Sequence, residues 1–202
     1  MSVQITFLNH SGFAVETDSK VLVFDYYKDP SGMVKAYSQV GRKPLWFFVS
    51  HWHEDHFNRS ISQFGGAQYI VNEDVRLKDI PADRFHAMKL YETLPLGDTT
   101  VTQYGSTDEG GSFLVETDGL KIFHAGDLNW WHWLGDTDEN NAEAKSNFDR
   151  EMKHLAGQTF DIVFFPVDAR LEGAREWGVT GFLKDVSVTK CLLEHGVGTL
   201  RL

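Results

Sequence analysis

An α+β fold built mainly from short strands is what this sequence predicts. Three observations carry that expectation. Strand-like runs recur along the chain, a few helical stripes separate them, and one strand–turn–strand segment returns a hundred residues later. Val3–Leu8 alternates apolar Val, Ile and Phe with Gln and Thr, the period of a strand with one buried face. Phe13–Thr17 and Val21–Phe24 flank Asp18-Ser19-Lys20, a hairpin signal. Leu45–Ser50 is apolar up to its last residue, which suits a strand buried on both faces. Phe57, Ile61 and Phe64 then fall at helical spacing, and Gly65-Gly66 stops a short helix. Gln68–Val71 and Thr99–Tyr104 continue the strands.

Ser112–Glu116 and Lys121–His124 join through Asp118-Gly119, a strong hairpin turn. Asn141–Ala156 predicts a helix with Phe148, Met152 and Leu155 on one stripe. Asp136, Asp138 and Glu139 precede it on the side its dipole favours, and Gly157 follows as its C′ residue. Ile162–Val167 is a second continuously apolar strand, and Val179, Phe182, Leu183 and Val186 form a last helical stripe. Phe13, Val15, Glu16, Thr17 and Asp18 recur as Phe113, Val115, Glu116, Thr117 and Asp118. Shared hairpin chemistry explains that echo, and so do two similar half-domains. On the second reading two sheets lie face to face with helices outside. No linker or low-complexity tract divides the chain, so residues 1–202 are expected to form a single domain.

Composition narrows the function classes. Lys and Arg number 19 against 29 Asp and Glu, a formal charge of −10, so nucleic acid and anionic membranes are poor partners. With 42% apolar and 13% aromatic residues the chain can bury a core. Its longest apolar runs fall far short of the ~20 residues that span a bilayer. Cys191 is the single cysteine, so no internal disulfide forms. The N-terminus carries no basic, apolar leader pattern, and the expected location is the cytoplasm.

The informative segment is Ser50-His51-Trp52-His53-Glu54-Asp55-His56, between a buried strand and a predicted helix. Neutral imidazoles and carboxylates are ligands for zinc, manganese and iron, and so many would be costly to pack as core. A polar, His-rich surface loop is the bland alternative. In extended backbone His51 and His53 point the same way and can share one ion. Asp55 and His56, past the turn into the helix, point toward a second. One loop thus feeds two ions ~3.5–4 Å apart, the separation used by two-metal hydrolases.

The His51-x-His53-x-Asp55-His56 signature resembles that of the metallo-β-lactamase superfamily. Asn9-His10-Ser11-Gly12-Phe13 and His124-Ala125-Gly126-Asp127 resemble its lactonase-like branch of metal-dependent hydrolases. The resemblance implies a four-layer αβ/βα sandwich, two mixed β-sheets with outer helices. It implies two divalent ions, zinc first and manganese or iron otherwise. Asp127 matches the bridging carboxylate, and His195 matches the last metal His. The family also places a His after the strand ending near Tyr104. This chain has Ser106-Thr107-Asp108 there and no His between His86 and His124. Asp108 as a replacement oxygen ligand, or a water, would fill the gap; as a loop acid capping its own turn, Asp108 would not. Three protein ligands and an open position still make a workable zinc site.

Other residues carry paired readings. Asp25 orients the ligand loop or is a turn acid. His10 lines the pocket and touches substrate, or is a satisfied structural His; His124 supports the ligands or is core. Trp130, Trp131, His132 and Trp133 wall a pocket, with Trp131 the substrate contact, or are core. Arg170, near Asp168, grips a phosphate or carboxylate, or pairs on the surface. Cys191 has no activating context and is expected to be a structural thiol. The implied reaction is hydrolysis by a metal-bound hydroxide, with Asp55 or Asp127 accepting the proton. The substrate would be a small-molecule ester, lactone or phosphoester. A nuclease ranks lower on charge, and a redox di-iron protein lower still. The reading from another class is a metal-binding or degenerate, non-catalytic member with an incomplete first metal site.

Overall fold

The computed structural model describes residues 3–39 and 43–194. Two six-stranded sheets form their framework. The first runs β1 (Gln4–Asn9), β2 (Gly12–Glu16), β3 (Val21–Phe24), β4 (Leu45–Val49), β5 (Gln68–Asn72) and β6 (Phe85–Met88), neighbours in that order. Its first three strands are antiparallel and β3 to β6 parallel. The second holds β7 (Thr93–Leu96), β8 (Thr99–Tyr104), β9 (Ser112–Thr117), β10 (Leu120–His124), β11 (Thr159–Pro166) and β12 (Ser187–Glu194). There β7 to β10 are antiparallel and β10 to β12 parallel. Both sheets are therefore mixed. Helix α1 (Met33–Tyr37) follows β3, α2 (Asp138–Leu155) follows β10 and α3 (Trp177–Asp185) follows β11.

The apolar runs explain the layers. On β4, Phe48 joins Phe13, Phe24, Phe113 and Phe164 in a core fed by both sheets. Phe47 and Val49 face the other way, against Val34 and Tyr37 of α1 and Ile61. On β11, Ile162 and Phe164 enter the shared core, while Val163 and Phe165 pack under Phe148, Met152, Leu155 and Phe182 of the helices. A strand buried on both faces needs no polar alternation, which is why these two segments are continuously apolar. The result is a helix–sheet–sheet–helix sandwich, as the sequence predicts.

Several boundaries differ. The expected helix after the His-rich loop is a single 3-10 turn, Arg59–Gln63, capped by the Asn58 side chain. Asp55 and His56 sit before it in a turn closed by the His56 and Phe57 N–H groups on His53 O. Helix α2 starts earlier than its stripe, because Thr137 accepts from Asn140 N as N-cap and Asp138 and Glu139 fill the first turn. Strands β6 and β7 and helix α1 went unpredicted. They are short and carry no run long enough to show a period. No helix among the described residues is long and apolar enough to cross a membrane.

Candidate metal centre

The ligand loop leaves the C-terminal end of β4, where parallel strands present their loops. Its first residue, Ser50, is buried and fixed from behind: its N–H donates to Asp25 Oδ1 at 2.8 Å and its hydroxyl to Oδ2 at 2.6 Å. The same hydroxyl lies 2.9 Å from His51 Nδ1, so His51 turns Nε2 outward. That Nε2 lies 3.0 Å from His53 Nδ1 and 3.5 Å from Asp127 Oδ2. His56 is oriented in the same manner. Its Nδ1 sits 2.7 Å from Asp25 Oδ2, and its Nε2 3.2 Å from Asp127 Oδ1. Asp127 thus addresses His51 with one oxygen and His56 with the other.

Two groups of side chains that could hold a metal ion result. His51, His53 and Asp127 bring one donor atom each within 4.8 Å of one another, and so do His10, Asp55 and His56. His10 Nε2 is 3.3 Å from Asp55 Oδ2. Sequence reasoning placed His10 in the pocket but not among the donors. It arrives from the tight β1–β2 turn, where its own φ is +52°. That turn, Asn9-His10-Ser11-Gly12, was the available signal.

Glycines permit the close approach. Gly110 has φ +67°, and a Cβ there would stand 2.1 Å from Ser50 O and 2.5 Å from His51 Cβ. Gly126, φ +55°, would put one 2.9 Å from Ser50 Cβ. The β8–β9 loop and the loop after β10 therefore press onto the His-rich loop at positions closed to other residues.

Charge follows from burial. Burial pushes Asp25 up, but His124 and His56 outweigh it and hold the carboxyl at about 2. Burial and neighbouring His56 lower His51 to about 4, against Asp127 and Asp25, so this imidazole is neutral and ready to ligate at pH 7. Burial also opposes charge on His56, yet Asp127 and Asp25 on its two nitrogens raise it well above its ordinary value. Without a cation His56 keeps a proton that a cation would displace. The donor set fits divalent ions: imidazole nitrogens and carboxylate oxygens converge, and second partners fix the rings of His51 and His56.

Beneath the site His124 is fully buried. Its Nε2 is 2.9 Å from Ser11 O and 3.3 Å from Glu194 Oε2, and its ring stacks on Phe24 at 5.1 Å. Burial lowers its pKa, but Glu194 and Asp25 raise it to about 9. The Gly126 N–H, 3.2 Å from Nδ1, asks for a bare nitrogen there; two buried carboxylates outweigh one long N–H···N contact. Glu194 had no sequence signal beyond its place beside His195.

A cleft of about 430 Å³ opens over these two groups, lined by His53, Asp55, Thr107, Asp108, Asp127, Trp131, Trp133 and Arg170. Asp108 faces it, raised by burial and by Asp127. It belongs to neither ligand group among the described residues. The aromatic run divides by alternation: Trp130 and His132 pack on Trp177, at 5.1 and 4.6 Å, while Trp131 and Trp133 line the cleft. Arg170 forks onto Asp168 with Nε at 2.9 Å. Cys191 is partly buried, its thiol pushed up to about 11 by burial and Glu194. His195 lies outside the described residues.

Comparison with known proteins agrees with this fold. The family model described as a β-lactamase superfamily domain matches residues 4–177. A UPF0173 metal-dependent hydrolase of Desulforamulus reducens is 29% identical over 143 residues, 62% of either chain. One from Alkaliphilus metalliredigens is 25% identical over 182 residues, 82% of this chain and 73% of that protein. The match to the first thus spans less than two thirds of that relative's length. A solved structure from Parabacteroides distasonis, titled as a proposed metal-dependent hydrolase, superposes with a TM-score of 0.66 over 98% of this chain and 84% of its own. At 18% identity that likeness concerns the fold.

Proposed function

The chain belongs to the β-lactamase superfamily, and from that premise we propose that it is a metal-dependent hydrolase of small-molecule esters, lactones or phosphoesters. One observation carries the reading: Asp127 shares one group of possible ligands with His51 and His53, and turns its other oxygen to His56 of the second group. Two divalent ions, zinc foremost, are the proposed cofactors. When bound, they supply an acidified water and a polarised carbonyl or phosphoryl oxygen.

The chain's own residues do the rest. Ser50 and Asp25 hold His51 and His56 so that each presents Nε2. Asp25 stays ionised at neutral pH and keeps that orientation. Asp127 acts as the shared ligand. Asp55, exposed and beside His10, is the better placed of the two carboxylates to take a proton and pass it to solvent. Asp108 is the proposed further oxygen ligand, and His195 the last ligand on the family resemblance. Trp131 and Arg170, which line the cleft, are the proposed substrate contacts; His10, expected to touch substrate, is proposed instead as a donor beside Asp55 and His56. A cytoplasmic setting belongs to the same reading.

One observation favours a second reading, that of a metal-binding member without activity: Asp108 stands apart from both ligand groups. Elemental mass spectrometry on untagged protein, with hydrolysis of a lactone and phosphodiester panel, separates the two. Close to two equivalents with turnover, both lost in Asp127→Ala, is the expected result. One equivalent or less after zinc, manganese or iron is supplied, without turnover, sinks the hydrolase reading.

A further inference from the structure

The cleft has two unlike sides. One is the acidic, His-rich side of Asp55, Asp108, Asp127 and His53; the other is built of Trp131, Trp133 and Arg170. The second side is set rather than loose. Trp131 donates its indole N–H to the Asp127 backbone carbonyl at 3.0 Å, which fixes its ring at the residue that carries the shared carboxylate. Trp133 lies nearly parallel to it, 9° between planes and 6.2 Å between centres. The guanidinium of Arg170 stands 5.7 Å from the Trp133 ring. Asp168, itself buried, takes Arg170 Nε and Nη2 in a fork and its backbone N–H at 2.8 Å. The fork leaves Nη1 outside it, on a side chain that is 69% exposed. Rigid indole faces favour flat rings, and a braced guanidinium favours carboxylate or phosphate oxygens.

Resting on the hydrolase reading above, we propose that this wall selects the substrate: a small ester or lactone carrying a flat unsaturated ring and, beyond the ring from the scissile bond, an anionic oxygen group. The order of residues sets that order of parts. Trp131 touches Asp127, Trp133 comes next, and Arg170 lies over Trp133, so the ring spans the distance between the reacting carbonyl and the cation. Hydrolysis consumes one water. Its oxygen forms the new acyl C–O bond, the alkoxide departs with the old one, and a water proton ends on that alkoxide.

Three methyl esters with one leaving group test the wall on zinc-loaded protein: methyl cyclohexylacetate, methyl phenylacetate and methyl (4-carboxyphenyl)acetate. The expected kcat/KM rises about fivefold when the ring becomes flat, and about tenfold more when it gains the carboxylate. Trp133→Leu should erase the first gain and Arg170→Gln the second. Equilibrium dialysis of (4-carboxyphenyl)acetate supplies a readout independent of turnover, with about tenfold weaker binding expected in Arg170→Gln. Equal rates for the three esters overturn the wall while leaving the hydrolase reading intact. Absent turnover with Arg170-dependent binding of the acid leaves the wall standing and removes the hydrolase reading. Binding of the acid that neither variant weakens overturns the wall.

Discussion

Strand β10 crosses the second sheet as β3 crosses the first, antiparallel to the strand before and parallel to the strand after. In the first sheet the rung across β2, β3 and β4 is Phe13, Phe24, Phe48; in the second, across β9, β10 and β11, it is Phe113, His124, Phe164. The rungs stack crosswise between the sheets: Phe13 on Phe164, Phe24 on His124, Phe48 near Phe113. The pattern answers the echo of Phe13–Asp18 in Phe113–Asp118 with two sheets of one plan. One ring breaks the match. Where the first half keeps Phe24, the second keeps His124, and with it the buried Glu194. The framework is shared, and the chemistry comes from loops at the same end of both sheets. The first half gives the histidines and the second gives Asp127, the indoles and Arg170.

Making the halves alike at that rung is the largest expected perturbation. His124→Phe would leave Glu194 buried with no cation, and losing one member of a buried pair costs about 3–5 kcal/mol. Urea unfolding reads it, and adding Glu194→Leu should recover part of the loss. The pH dependence has a definite sign. The folded pKa of His124, about 9, lies above its ordinary 6.5, so the pair's stabilisation is complete below about 6.5 and fades as pH rises through 9. The gap between wild type and His124→Phe should therefore narrow across that window. A gap that widens would mean His124 is neutral in the fold.

Next in size is the contact between the halves at the ligand loop. Gly110→Ala would force a Cβ into Ser50 O and His51 Cβ at a positive φ. It should cost about 2 kcal/mol or more in unfolding free energy and lower metal content with it. Gly157→Ala is the control. Its φ is +78° but nothing lies within 4 Å of the added carbon, so about 1 kcal/mol and unchanged metal content are expected. Equal effects at the two positions would show that backbone strain, rather than crowding against His51, sets the cost.

What the sequence revealed follows the range of the forces involved. Strands β4 and β11 were legible because burial on both faces writes a continuous apolar run. The His51–His56 loop was legible because its donors are neighbours in the chain. His10 as a donor was not, since it meets Asp55 and His56 only through the β1–β2 turn. Glu194 became significant only through pairing of β11 with β12, which sets it opposite Pro166 and beside His124. Strand β7, Thr93–Leu96, is an edge strand in which Leu94 and Leu96 alternate with Thr93 and Pro95, but four residues are too few to show a period and a proline argues against a strand. The indole run was half legible: its i, i+2 alternation could have split Trp131 and Trp133 from Trp130 and His132.

The smallest effect lies at the end of the sheets away from the site, where the two hairpin turns touch. Asp118, at φ +48°, accepts from the Ser19 N–H at 3.0 Å and the Ser19 hydroxyl at 2.9 Å. Asp118→Ala removes both bonds in an exposed setting where water replaces them. It also removes a residue that tolerates the left-handed region better than alanine does. Together these should cost about 1 kcal/mol in urea unfolding. Metal content and hydrolysis should stay as in wild type, because Asp118 sits in the β9–β10 turn and the site at the opposite end of those strands. If Asp118→Ala instead lowered metal content, the turns would be setting the spacing of the sheets at the site, and the framework and the chemistry would not be separable as the two halves suggest.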